Sequence, residues 1–183
     1  MPHSPHNLLI TSDQFLDRVF GNSVMLVTNG GGPDWGQLCR GKEKAIPDSF
    51  QAIQYWPLPL NSNLLYMTQV MSSVTANVSQ WSHAVATISL AQDQTQLVEL
   101  VSTKALPIVS VTVVPEFRAE VLFRIDAESM ADWQKKCDKL WAQMQERGIE
   151  VAPPDWKAKP FLPNSKYFPD IRLFYLNLDL GIQ

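Results

Sequence analysis

"FRAEVLFRIDAESMADWQKKCDKLWAQMQERG", residues 117–148, changes its period halfway along. Up to Ile125 the apolar residues fall at every second position: Phe117, Ala119, Val121, Phe123 and Ile125. That is the alternation of a strand with one buried face. Beyond Ser129 they step by three and four, through Met130, Trp133, Cys137, Leu140, Trp141 and Met144, as one stripe of an α-helix does. Asp132 suits the positive N-terminal end of such a helix, Arg147 its C-terminal end, and Gly148 a left-handed stop. The stretch therefore predicts a strand feeding a helix over 129–147.

The flanking sequence extends this pattern in both directions. "IVSVTVV", 108–114, is a β-branched strand, and Pro115 and Glu116 form a tight turn into the strand at 117–125. "HAVATISLA", 83–91, is a further strand with Ala84, Ala86, Ile88 and Leu90 on one face. Asp93 caps a helix reaching about Ala105, with Leu97, Val98, Leu100, Val101 and Leu106 on its apolar side and Pro107 as its end. After a Pro-rich loop at 152–170, "RLFYLNLDL", 172–180, alternates as a last strand.

Residues 83–180 thus read strand, helix, strand, strand, helix, strand, the βαββαβ order of ferredoxin-like domains. The expected fold class is α+β: an antiparallel sheet with helices on one face, preceded by an N-terminal helix/strand extension. A single domain over 1–183 follows if residues 1–82 cover the open face of the sheet. In that extension Thr11 and Gln14 have capping-box spacing ahead of Phe15, Leu16, Val19 and Phe20, and Gly21 closes the helix. "SVMLVT", 23–28, is a buried strand. "FQAIQYWPLPL", 50–60, alternates until Pro57 and Pro59, which confine it to a sheet edge or end it. "NLLYMTQVM", 63–71, reads as another strand, and 72–83 as a helix on the steps Val74, Val78, Trp81 and Val85.

Composition narrows the function classes. A net charge of −3 and a pI near 5.6 argue against a general nucleic-acid binder, which carries a basic excess. Cys39 and Cys137 form no C-x-x-C pair, so neither a zinc ribbon nor a disulfide framework is indicated, and a cytoplasmic location is expected. "MPHSPHNLLI" lacks the basic start and apolar run of a signal peptide. No stretch approaches the ~20 apolar residues of a membrane span, so no membrane partner is expected. Six tryptophans against 18% charged residues suggest a surface that meets another molecule.

"TNGGGPDWGQLCRGKEKA", 28–45, approaches the phosphate-binding pattern G-x-x-x-x-G-K-[ST]. Glu43 stands where the magnesium-binding hydroxyl belongs, residues 29–35 separate the motif from its strand, and Pro47 cuts any following helix. It reads instead as a glycine-rich connection whose Gly30–Gly32 take positive φ, with the alternative of a loop that becomes ordered on a partner through Trp35, Arg40 and Lys42. His3, His6 and His83 make no metal pattern, and Asp34, Asp48, Asp93, Glu99, Glu116, Glu120 and Asp126 form neither D-x-D nor H-x-x-E. No metal or other cofactor is expected. Cys39, beside Arg40 and Lys42, would need His83 as its base to act as a nucleophile.

"APPDWKAKPFLPNSKYFPD", 152–170, interleaves Trp156, Phe161, Tyr167 and Phe168 with Lys157, Lys159 and Lys166. Such mixing suits stacking on single-stranded nucleic acid, a protein interface, or rings folded back over the sheet. The function expected is a non-enzymatic protein-interaction or assembly subunit. It would meet a protein partner, or itself, through Trp35, Arg40, Lys42, Trp156, Lys157, Lys159, Phe161, Tyr167 and Phe168. One alternative is a small-molecule-binding enzyme with a pocket near Arg40, Lys42 and His83. The other is a single-stranded nucleic-acid-associated protein using 156–168.

Overall fold

The computed structural model describes residues 9–29, 36–39, 51–61, 75–90, 95–102 and 105–180, with the backbone alone at 36, 37 and 96. Its elements are α1 (Ser12–Phe20), β1 (Val24–Thr28), β2 (Gly36–Cys39), β3 (Gln54–Leu60), β4 (Trp81–Ser89), α2 (Thr95–Ser102), β5 (Ile108–Val114), β6 (Arg118–Ala127), α3 (Met130–Glu146) and β7 (Arg172–Leu176). From β4 onward the order is β-α-β-β-α-β, and the fold is α+β with two antiparallel sheets.

The four-stranded sheet runs β4-β6-β5-β7, with every neighbouring pair antiparallel. Two strands antiparallel to a common neighbour are parallel to each other. Hence β4 and β5 are parallel with β6 between them, and β6 and β7 are parallel with β5 between them. Each helical connection, α2 and then α3, therefore joins parallel strands across an intervening one, the split β-α-β unit.

Strand parity decides which residues meet the helices. Ala84, Ala86 and Ile88 of β4 and Ala119, Val121 and Phe123 of β6 are buried with Leu97 and Leu100 of α2 and Trp133, Cys137, Leu140, Trp141 and Met144 of α3. The indoles of α3 are also anchored by hydrogen bonds: Trp133 Nε1 donates to the His83 carbonyl at 2.8 Å and Trp141 Nε1 to the Ala152 carbonyl at 2.7 Å. Ser129 Oγ accepts from the Asp132 amide at 3.1 Å and begins the helix. At the other end Gly148 has φ +76°, with Gly148 N donating to Gln145 O and Ile149 N to Met144 O. That pair of bonds is a Schellman close, which requires the left-handed residue.

The opposite face of the same sheet is covered as well. Phe15, Leu16, Val19 and Phe20 of α1 and Met25, Val27 and Tyr55 of the second sheet pack with Val109, Leu122, Leu173 and Leu176. Helix α1 carries the capping box expected of it, with Gln14 N donating to Thr11 Oγ1 and Thr11 N to Gln14 Oε1. The second sheet runs β2-β1-β3. Its outer side buries Val24, Leu26, Trp56, Leu58 and Leu60.

Pro57 and Pro59 lie inside β3, and parity explains why they are tolerated. Tyr55 N donates outward, away from β1, to Pro160 O at 3.0 Å, and Pro59 O accepts from Ser79 N at 2.9 Å on the same outer side. Residues 55 and 59 therefore point their backbone groups away from β1, and Pro57 lies where the register between the two strands is interrupted, so neither proline is a ladder partner of β1.

Four sequence expectations need correction. Gly36–Cys39 is a strand paired with β1, not part of a loop, because Leu38 and Cys39 supply apolar contacts and β1 offers a free edge. Residues 72–83 are not a helix where they are described: a 3-10 turn at Thr75–Asn77 leads to β4, which starts at Trp81. Val78 bridges Leu60 there, so strand pairing overrides the four-residue steps. Phe117 belongs to the β5–β6 turn; it and Glu116 both have positive φ (54° and 70°), which the twist of a tight hairpin demands. The last strand stops at Leu176, and Leu178–Leu180 form a 3-10 turn. The strand expected at 63–71 and the Asp93 cap lie outside the described residues.

Replacing Trp133 by Ala should destabilise the protein by about 3–5 kcal/mol, because it removes a buried indole and orphans the His83 carbonyl. Met130→Ala, on the same helix but 42% exposed, should stay within about 0.5 kcal/mol. Urea unfolding of the two variants measures the difference.

Candidate functional site

Residues 152–170 are fixed by hydrogen bonds at both ends of their course. At the first end the Trp156 carbonyl accepts Trp56 Nε1 at 2.7 Å, and the two indoles lie 6.1 Å apart at 60°. Lys157 Nζ sits 5.4 Å from the centre of the Trp156 ring. The chain then runs antiparallel to the outer edge of β3. Gln54 Nε2 donates to Lys159 O at 3.0 Å, Tyr55 N to Pro160 O at 3.0 Å, and Leu162 N to Ile53 O at 2.8 Å. Phe161 faces Gln54 in an isolated bridge, and its amide donates to Glu120 Oε1 at 2.8 Å.

At the second end the chain crosses the start of α1. Ser12 Oγ donates to Pro163 O and Asn164 Nδ2 to Ile10 O, both at 2.9 Å, while Asn164 Oδ1 accepts from Leu173 N at 3.1 Å. Asn164 takes φ 57°, a left-handed conformation that asparagine tolerates. Ser165 is buried, and its Oγ accepts from Tyr167 N at 3.2 Å. Lys166 Nζ lies 5.2 Å from the centre of the Tyr167 ring. Phe168 closes the turn with 42% of its surface exposed.

The residues expected to meet a partner therefore fall into two groups. Trp156, Lys157, Lys159 and Phe161 lie along β3, and Tyr167 and Phe168 lie in the turn that follows the crossing of Pro163 and Asn164 with the start of α1. Trp156, Phe161 and Tyr167 are half-buried, so of the four rings Phe168 is the exposed one. Trp35, Arg40 and Lys42 lie outside the described residues. The strand they flank, β2, is at the edge of its sheet opposite to β3.

His83 does not reach solvent. It is fully buried, its ring 4.8 Å from that of Phe20 and edge-on to it. Ser82 Oγ lies 2.7 Å from Nδ1, and Nε2 has no hydrogen-bond partner among the described residues. Burial first, and then the Arg124 guanidinium, lower its pKa to about 3. A neutral, enclosed imidazole of this kind cannot serve as general base for a solvent-borne substrate. Cys39 is also buried.

Two further groups are Glu120, which the sequence set aside with the other scattered carboxylates, and Tyr55, which sequence reasoning passed over. Glu120 is half-buried on the face of the sheet away from α2 and α3, and burial raises its carboxyl to about 7 against the opposing pull of the Phe161 amide and Arg118. Tyr55 is buried at 2% exposure, and burial followed by the Glu120 carboxylate pushes its phenol well above the usual value. The sequence signal was Leu122, an apolar residue sharing the parity of Arg118, Glu120 and Arg124 and so marking that face as covered. Among the described residues no three His, Cys, Asp or Glu side chains come together as metal ligands.

The fold defines an α+β protein whose larger sheet is covered on both sides. Comparisons bring no relative to it: no protein-family model, no curated protein and no solved structure matches the chain. No helix among the described residues is long and apolar enough to cross a membrane.

His83 supplies a pH test. Its folded pKa lies below the unfolded value of 6.5, so its contribution is present above pH 6.5 and is lost as pH falls towards about 3. A His83→Gln variant lacks this loss. The stability difference between wild type and variant, read from thermal unfolding, should shrink steadily from pH 7 to pH 4.

Proposed function

We propose that this chain is a protein-interaction or assembly subunit, working in the cytoplasm, whose contact surface lies where residues 9–12 cross residues 163–168. The observation that carries the reading is the exposure of Phe168 on a turn whose backbone is already pinned by Asn164 and Ser165. Leu9, next to the Asn164-bonded Ile10, is 82% exposed and adds a second apolar side chain at the same crossing. Tyr167 and Lys166 border it.

Exposed aromatic side chains on a rigid backbone are the usual anchors of protein interfaces, because little is left to order on binding. Stacking along a nucleic-acid strand needs several open ring faces. Here Trp156 lies against Trp56 and under Lys157, and Tyr167 under Lys166, which favours the protein-interface reading. The buried His83 likewise gives a pocket with Arg40 and Lys42 little support.

Light scattering of the purified chain reads self-association, and a photo-crosslinking side chain at position 168 in the native host reads a different partner. The expected result is either a species heavier than 20.6 kDa or a discrete adduct. Phe168→Asp should weaken that association by roughly tenfold or more. Val98→Asp, at an exposed position on α2, should leave it intact. A monomer that yields no adduct from position 168 would reject the proposal.

A further inference from the structure

Residues 165–170 form a loop whose two ends meet at one residue. Asn164 N donates to the Ile171 carbonyl at 2.9 Å, and Asn164 Oδ1 accepts from the Leu173 amide at 3.1 Å. The other end of the same side-chain amide reaches a residue 154 positions away, where Nδ2 donates to the Ile10 carbonyl at 2.9 Å. We propose that Asn164 is the positioning residue of the contact surface, a clip that holds Leu9 and Phe168 as one rigid unit through a single amide plane. This rests on the reading of that crossing as the contact surface.

Asparagine meets three demands here together. The backbone has φ 57°, which asparagine tolerates and most residues do not. One partner is a carbonyl, which can only accept, and the other a backbone N–H, which can only donate, so the two fix the orientation of the amide. An aspartate would keep the acceptor and lose the donor; a glycine would keep the backbone and lose both.

Oδ1 and Nδ2 belong to one planar group, so the Ile10 carbonyl and the Leu173 amide cannot shift independently. Both partners sit on fixed bodies. Leu173 pairs with Thr112 of β5, and Ile10 and Leu173 are buried in the same cluster. The side chains turned outward are Leu9, one residue before Ile10, and Phe168, inside the loop. Phe168 is held on both sides, its N–H donating to Ser165 O at 3.2 Å and its carbonyl accepting from Ile171 N at 3.1 Å. Ser12 Oγ also ties the crossing, to Pro163 O, but on the helix side of Ile10, which leaves the Leu9 side to Asn164. An apolar pair fixed in advance loses little freedom on binding.

NMR of the isotope-labelled full chain at pH 7 tests the clip without any partner. In the wild type one Asn164 side-chain N–H should exchange slowly with solvent; exchange as fast as a free side-chain amide would overturn the proposal. Asn164→Asp should lower the backbone order parameter of Leu9 from about 0.85 towards about 0.6, while the Leu173 amide keeps its protection. Asn164→Gly should loosen Leu9 likewise and also speed exchange of the Leu173 amide by roughly fivefold to tenfold. Ser12→Ala should leave Leu9 ordered. A merely structural role predicts instead that both Asn164 variants loosen both ends together. That result, or an unchanged Leu9 in Asn164→Asp, would overturn the clip. Should Asn164→Gly fail to fold, the aspartate variant and the wild-type exchange decide. A wild type that shows slow Asn164 exchange, with variants that split as expected, but no association at position 168 supports the clip and rejects the contact surface. Association undiminished in an Asn164→Asp chain whose Leu9 has loosened would overturn the positioning role.

Discussion

The larger sheet is covered on both faces over most of its area, with its margin at Thr87, Ser89 and Arg118 left in water, and most of the molecule's unusual chemistry descends from that cover. An antiparallel sheet commonly keeps one side in water and places its polar residues there. Here α2 and α3 cover one side, while α1 and the small sheet cover the other. The polar positions of the alternating strands are consequently carried inward. His83, Ser110 and Thr112 are buried, and Glu120 is half-buried. A side chain in that position must be neutral or hydrogen-bonded. His83 is held neutral and Glu120 receives a backbone donor, so the two titratable groups lean in opposite directions from one cause.

The helix-facing half of this arrangement was legible in the sequence. Period-two runs at 83–91 and 108–125, the three- and four-residue steps of Trp133 to Met144, and Gly148 as a stop all reported backbone geometry that is locally determined. What could not be read was set by distant partners. Val78 and Trp81 have helical spacing, yet Leu60 bridges Val78 and β6 claims Trp81. The proline-bearing β3 was ambiguous because the harmlessness of Pro57 and Pro59 depends on which edge faces β1. Periodicity cannot tell one edge of a strand from the other.

The site was less legible than the fold for a related reason. Aromatic and lysine residues at 156–168 stood out by composition, but composition says nothing of which rings are covered, and Trp56 lies a hundred residues away from Trp156. Glu120 was set aside with the other scattered carboxylates, because a glutamate alternating with Ala119 and Val121 looks like the solvent side of a strand. Its burial depends on Tyr55 and the 160–162 segment, neither of which is near it in the chain.

The segment 156–162 also bears on how the protein is made. Strand β3 carries apolar side chains and an outer edge, and the segment that covers the first part of this edge follows it by about 105 residues, as the Gln54–Lys159 bond shows. At roughly 5–20 residues per second of synthesis, the edge stands open for about 5–20 s on every nascent chain. Open edges of apolar strands are where chains pair wrongly with one another. Pro59 lies farther along that edge, where Ser79 covers it only twenty residues on, so the stretch that waits for residues 159–162 is confined to 53–55.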